Sequence, residues 1–342
     1  MRPYRSVVKP VFFALPPEAA HGLANRLLGL PLPWERIGGV LDDPALRGDL
    51  AGIALPNPIG LAAGFDKTCR HLDALGRLGF GYVVGGTITR LPRRGNRKPR
   101  IVRYRGRRSM ANSMGLPNPG ADAVARTLSE VPRTAPRIVS IADQDLPDVL
   151  ATHALLEPHA DGIELNAGCP NVSWGRDRDN EAHLAALVSE LGRRRSTPLF
   201  VKLPPFRSDV EREVVLALAR IAQERGTDGL TCSNTYPVRE PRLAVGGGGL
   251  SGRDLLDDTV RIVAEVHRAT GGAISVNACG GIFGPQDAIA CLEAGATTVQ
   301  VYTGMLYEGP GVVGTITAGL SSALERRETS LRSLVGSAHR RP

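Results

Sequence analysis

The sequence predicts a (β/α)8 barrel preceded by a small helical extension. Three observations carry this reading. Short apolar runs rich in β-branched residues recur eight times, amphipathic stretches lie between them, and 40 glycines in 342 residues supply tight turns. Most runs are unbroken rather than alternating, as strands covered on both faces should be. A doubly wound sheet is the competing fold; it would usually place a G-x-G-x-x-G turn after the first strand, and none is written there.

Taken in order, the first element is the segment "MRPYRSVVKPVFFALPPEAAHGLANRLLGL", within a unit expected over residues 1–40. It holds two short helix-like pieces broken by "LPPEAA". Val7, Val8, Val11, Phe12, Phe13 and Leu15 crowd the first piece, and Leu23, Leu27, Leu28 and Leu30 line one side of the second. Arg2, Arg5 and Lys9 flank them. The pattern suits either a cap packed on the barrel or an anchor lying on a membrane surface. The barrel is expected over 41–342, with strands at 59–63, 82–87, 138–142, 162–166, 199–203, 229–233, 273–277 and 297–301. Stretches such as 181–195, 208–225 and 254–269 read as the intervening helices.

Composition narrows the function classes. Hydrophobic residues at 42% allow a large core, and a formal charge of +8 suits an anionic small molecule, a phosphate-bearing cofactor or an acidic membrane surface. Nucleic acid is not expected, because the basic residues are scattered and aromatics make up only 4%. The basic runs 90–100 and 193–195 read as solvated loops or helix faces. Five cysteines, an odd number without a C-x-x-C pair, argue for reduced thiols in a cytoplasmic setting. No run approaches the ~20 apolar residues of a membrane span, and no signal peptide or metal-ligand cluster is evident.

In such barrels the working groups leave the C-terminal ends of the strands. Those ends are rich in asparagine, lysine and glycine. "AAGFDK" places Lys67 near the mouth, "NSMGLPN" brings Asn112 and Asn118, and "NAGCPN" follows the fourth strand with Asn166 and Cys169. Lys202, Ser233, Asn234, "CGG" (279–281) and "YTG" (302–304) complete the ring. Amides pair a donor with an acceptor and suit a planar heterocycle, lysines suit negative charge, and Gly-Gly backbone suits a phosphate. Cys169 offers a thiol of pKa ~8.5 as a proton acceptor, set between a glycine and a proline that hold the loop. Singly, each is more often a cap, a solvated lysine or a turn; Cys69, Cys232, Cys279 and Cys291 read as small apolar fillers. Convergence at one rim favours a site.

Together "NPIGLAAGFDK", "GFGYVVGGTITRLPRRGNRKPRI", "NSMGLPNPGAD", "GGLSGRDL" and "VQVYTGMLYEGP" resemble the dihydroorotate dehydrogenases, from about residue 3 to about 325. The resemblance implies oxidation of (S)-dihydroorotate to orotate with flavin mononucleotide (FMN). It assigns Lys67, Asn112, Ser113, Met114, Gly115, Leu116, Asn166, Asn171, Asn234 and Thr235 to the substrate, and Cys169 to the base. Toward the flavin it implies Ala63, Gly64, Phe65, Asp66, Lys67 and Thr87, then Ser140, Asn166, Lys202 and Ser233. Gly252, Gly281, Tyr302 and Thr303 complete that set. The N-terminal segment is similar to the quinone-using, membrane-associated branch, with His21 and Arg103 where that branch has tunnel residues. This favours the surface anchor, a membrane quinone as acceptor, and a peripheral place on the cytoplasmic side of the membrane. "CPNV" and "KLPP" instead resemble the soluble branch, since the quinone branch carries serine at the base position. Ser140 stands where the family has asparagine, and Ala278-Cys279 replaces a glycine. Another dihydropyrimidine-like substrate, or a soluble acceptor such as fumarate, therefore stays open, as does the oligomeric state.

Overall fold

A computed structural model describes residues 4–167 and 180–340. The described residues begin with a short π-helical turn, Tyr4–Val8, and the helices α1 (Lys9–Ala14), α2 (Pro17–Leu28) and α3 (Trp34–Gly38). Pro16 and Pro17 separate α1 from α2, because proline suits a helix start and breaks the helix before it. Phe13 anchors α1 in an aromatic cluster: its ring meets Tyr307 edge-on at 5.0 Å, and the Arg103 guanidinium covers it at 4.8 Å. The buried Glu308 carboxylate receives both Arg5 and Arg108, tying this segment to the barrel.

A hairpin of β1 (Gly48–Leu50) and β2 (Ile53–Leu55) comes next. Leu50 and Leu55 pack on Tyr82, Val84, Ile138 and Phe200, closing one end of the barrel. Each fully buried leucine there contributes roughly 1.5–3 kcal/mol. The remaining strands are β3 (Ile59–Leu61), β4 (Tyr82–Ile88), β5 (Ile101–Tyr104), β6 (Ser109–Asn112), β7 (Arg137–Ile141), β8 (Gly162–Asn166) and β9 (Leu199–Lys202). They continue as β10 (Gly229–Cys232), β11 (Tyr236–Arg239), β12 (Gly247–Gly252), β13 (Ser275–Cys279) and β14 (Thr298–Val301).

Eight of them close a barrel of parallel neighbours in the order β10-β13-β14-β3-β4-β7-β8-β9. All eight expected strands are there. The seventh runs 275–279 instead of 273–277, because the Asn277 side chain finds partners inside the barrel and so does not end the strand. Gly60 is required by packing: a Cβ there would lie 2.3 Å from the Tyr82 ring. The long helices Asp209–Glu224 and Leu256–Ala269 fall within the expected 208–225 and 254–269. Ser208 and Glu211 form a reciprocal capping box at the start of the former.

One feature was not legible beforehand. β5, β6, β11 and β12 form a separate antiparallel sheet, ordered β11-β12-β6-β5. The basic run 193–195 is ion-paired at the surface, where Arg193 and Arg194 meet Glu190 and Arg195 meets Asp228, in agreement with its reading as a solvated face. The run 90–100 departs from that reading at its end, because Arg100 is buried and turns inward to pair with Glu18. Among the described residues no helix is long and apolar enough to cross a membrane.

Candidate active site

A cavity of about 1020 Å³ opens over the C-terminal ends of the strands and extends beneath α2. Its floor comes from inward-facing strand residues: Asn166, Lys202, Cys279 and Gln300. Side chains two positions apart on a strand share a face, so the parallel register delivers these groups at one height. Loops supply the walls.

Four residues picked from separate strand ends meet here in one hydrogen-bonded chain. Asn234 Nδ2 donates to Asn166 Oδ1 at 3.1 Å, Asn166 Nδ2 donates to Thr87 Oγ1 at 3.1 Å, and Thr87 Oγ1 lies 3.1 Å from Ser140 Oγ. Asn112 faces the same space and donates to the Gly249 carbonyl at 3.4 Å. These amides are oriented before any ligand arrives, which lowers the cost of binding a flat ring with alternating donors and acceptors.

Two lysines supply positive charge. Lys67 lines the cavity and donates to the Gly64 carbonyl; burial pushes its pKa down to about 8. Lys202 is buried at the floor, 3.9 Å from Cys279 Sγ. Burial raises the Cys279 thiol above its usual range while Lys202 pulls the other way. At the α2 side, His21 stands edge-on to Phe65 at 5.6 Å. Burial, then the nearby Lys67 charge, lower its pKa to about 4, so the ring is neutral at physiological pH.

Most of the residues singled out from the sequence line this cavity. Ala63, Gly64, Lys67, Thr87, Asn112, Ser113, Met114, Gly115, Leu116 and Asn166 do so, as do Lys202, Ser233, Asn234, Thr235, Gly252, Gly281, Tyr302, Thr303 and His21. Four stand behind the lining. Phe65 packs between His21 and Tyr302. The buried Asp66 carboxylate accepts from the Thr68 and His71 backbone and so shapes the loop carrying Lys67. Ser140 reaches the site only through Thr87. Arg103 donates to the Leu15 carbonyl at 3.0 Å and to Phe12, so it holds the end of α1. Cys169 and Asn171 lie outside the described residues.

Sequence reasoning missed other lining residues. Cys279, read as an apolar filler, faces the cavity because the seventh strand runs two residues further than expected. Gln300 sits in a run that reads as plain strand. Glu18, Asn25 and Asn96 gave no signal, since their places depend on α2 folding back over the mouth.

The residues fit FMN. The cavity is large enough for a flavin and a small substrate together. Ser113 Oγ is buried beside it with no hydrogen-bond partner among the described residues. Gly281 has φ +75°, and a Cβ there would lie 2.4 Å from the Leu256 nitrogen, so only glycine leaves this backbone open to an approaching phosphate.

Comparison with known proteins agrees with this geometry. The family model described as dihydroorotate dehydrogenase matches residues 45–324. A protein of Novosphingobium aromaticivorans named dihydroorotate dehydrogenase (quinone) is 38% identical, covering 98% of this chain and 100% of its own length. Its namesake from Kineococcus radiotolerans is 36% identical over 96% of this chain and 97% of the relative. The crystal structure of DHODH from Eimeria tenella in complex with ferulenol superposes with a TM-score of 0.83 at 30% identity, covering 97% of this chain and 99% of that one. The chain belongs to the dihydroorotate dehydrogenase family.

Proposed function

We propose that this protein oxidises (S)-dihydroorotate to orotate in pyrimidine biosynthesis and passes the electrons to a quinone. The observation that carries the reading is the chain Asn234–Asn166–Thr87 with Asn112, Lys67 and Lys202 around one cavity, in a chain of this family. FMN, when bound, supplies the acceptor for the hydride that leaves C6 of the substrate.

The protein's own residues do the rest. Asn112, Asn166, Asn171 and Asn234 grip the ring through its alternating carbonyl and N–H groups. Lys67 pairs with the substrate carboxylate, and the backbone of Met114, Gly115 and Leu116 closes over it. Cys169 removes the C5 proton as general base; positioning and a thiol pKa near working pH both serve that role. Lys202 would face the bound flavin from the cavity floor, where its charge would favour the reduced ring, and Gly252, Gly281 and Thr303 would hold the phosphate.

The electrons leave on the α2 side, where His21 lines the cavity. Residues 1–40 form the quinone entrance. Val7, Val11, Leu27 and Leu30 on this segment are exposed, and an apolar face flanked by Arg5 and Lys9 suits the cytoplasmic surface of a membrane, bound peripherally.

Anaerobic mixing with dihydroorotate tests the reading. A yellow protein whose flavin bleaches with dihydroorotate, and regains colour with quinone faster than with fumarate or NAD, is expected. A flavin that dihydroorotate does not reduce defeats the substrate assignment. Deleting residues 1–30 is expected to abolish quinone turnover and spare flavin reduction; surviving quinone turnover defeats the entrance.

A further inference from the structure

Glu164 lies in β8, 1% exposed, on the inward face it shares with Asn166 two residues further on. In the barrel register Lys202 pairs with Asn166 on one side and with Thr231 on the other. Thr231 Oγ1 donates to Glu164 Oε2 at 2.8 Å. The carboxylate thus reaches from β8 to β10 across the interior face of β9, the strand that carries Lys202.

The donors behind it all point one way. Thr298 Oγ1 donates to Asn277 Oδ1 at 2.7 Å, which leaves it to accept from the Tyr82 hydroxyl at 2.8 Å. Asn277 Nδ2 donates to Thr231 Oγ1 at 3.3 Å, and Thr231 donates onward to Glu164. Donors aligned in succession on one acceptor strengthen each other and favour negative charge at the end of the line. The other carboxylate oxygen, Oε1, is buried without a hydrogen-bond partner among the described residues. A buried carboxylate so placed needs a cation nearby. Among the described strand residues that face the barrel interior, Lys202 is the one cation and Glu164 the one acid.

We infer that Glu164 is a positioning residue that acts on the flavin site through Lys202: held by the donor line below the cavity floor, its carboxylate offsets the lysine's ammonium and restrains the pull of that charge on the ring. This rests on the FMN reading above, and it assigns Glu164 no contact with flavin or substrate. The Cys279 thiol reports on the same balance, since it feels Lys202 and Glu164 with opposite sign.

The test compares Glu164→Gln, which removes the charge and keeps the shape, with Glu164→Asp, which keeps the charge. The amide removes one negative charge from below Lys202, so the floor becomes more positive. In FMN-loaded Glu164→Gln, the equilibrium between bound flavin and the dihydroorotate/orotate couple is expected to shift about tenfold toward reduced flavin. In flavin-stripped protein, Cys279 is expected to be alkylated by iodoacetamide several-fold faster at pH 8, read by peptide mass spectrometry. Glu164→Asp stays near wild type in both. An unchanged equilibrium or an unchanged alkylation rate in Glu164→Gln overturns the inference. Should that variant fail to fold, Thr231→Val, which removes the last donor, is expected to move both readings the same way by a smaller factor, and no movement overturns it too. A wild type that takes up no FMN defeats the functional reading alone; the alkylation rates still decide on Glu164.

Discussion

Arg100 closes a fork on Glu18, with Nη2 2.6 Å from Oε2 and Nε 3.2 Å from Oε1, and so fastens α2 to the wall of the substrate cavity. Both residues line that cavity. The fork joins the segment proposed to admit quinone to the backbone beside Ser113, whose N–H donates to the Arg100 carbonyl at 2.9 Å.

Arg100→Leu is expected to loosen α2 and leave the barrel intact. Leaving Glu18 without its guanidinium costs about 1–3 kcal/mol. Quinone turnover is expected to fall about tenfold while flavin reduction by dihydroorotate changes little, as stopped-flow of the two half-reactions would show. The Arg100 guanidinium holds the Glu18 carboxyl below its usual range, so the pair adds stability above the ordinary glutamate pKa of ~4.3. That stability is lost as pH falls through the folded value, and melting curves of wild type and Arg100→Leu should converge there.

Lys67 gives a falling limb to the pH profile. Its pKa of about 8 means the ammonium is present below that pH and lost above it. With Lys67 pairing the substrate carboxylate, kcat/KM for dihydroorotate is expected to decline above pH ~8. Lys67→Met should remove that limb and raise KM by about 10–100-fold. An unchanged alkaline limb in Lys67→Met would release Lys67 from this role.

Cys169 gives the rising limb. Loss of the thiol proton activates the base, so Cys169→Ser is expected to slow flavin reduction by about 10²–10⁴-fold while FMN stays bound. Rapid-mixing rates across pH decide this; a rate equal to wild type removes the thiol from proton transfer.

Gly281→Ala tests the phosphate end. The added Cβ would press on the Leu256 backbone at a positive φ, a strain of about 1–3 kcal/mol that falls where FMN is gripped. Weaker FMN retention on a desalting column is expected, with the circular dichroism of the barrel preserved. Full retention would place the phosphate elsewhere.

Much of this architecture could be read from the chain because parallel strands buried on both faces, such as "LFVKL" and "GLTCS", leave unbroken apolar runs. The four-stranded sheet could not. "GGGLSG" in β12 has no side-chain pattern to read, and "YPVR" in β11 carries a proline, so neither looks like a strand until the chain is folded. Of the rim asparagines, Asn112, Asn166 and Asn234 were legible one by one and share the cavity; Asn118 instead turns away to Thr89 and the Leu116 carbonyl and holds its loop. Glu164 was not legible: inside "GIELN" a lone acid in an apolar run gives no sign of facing inward, because its partner Thr231, and Asn277 behind that, come from strands far along the chain. Arg103 shows the converse limit, since a family position fixes where a residue falls in the sequence and not which carbonyls it will hold.

The closed end of the barrel has a practical use. With Leu50 and Leu55 plugging it, the β1–β2 hairpin lies on the opposite pole from the chemistry, and Ala54 on β2 is exposed there. A tether attached there would fix the molecule to an electrode or a bead with its mouth facing outward.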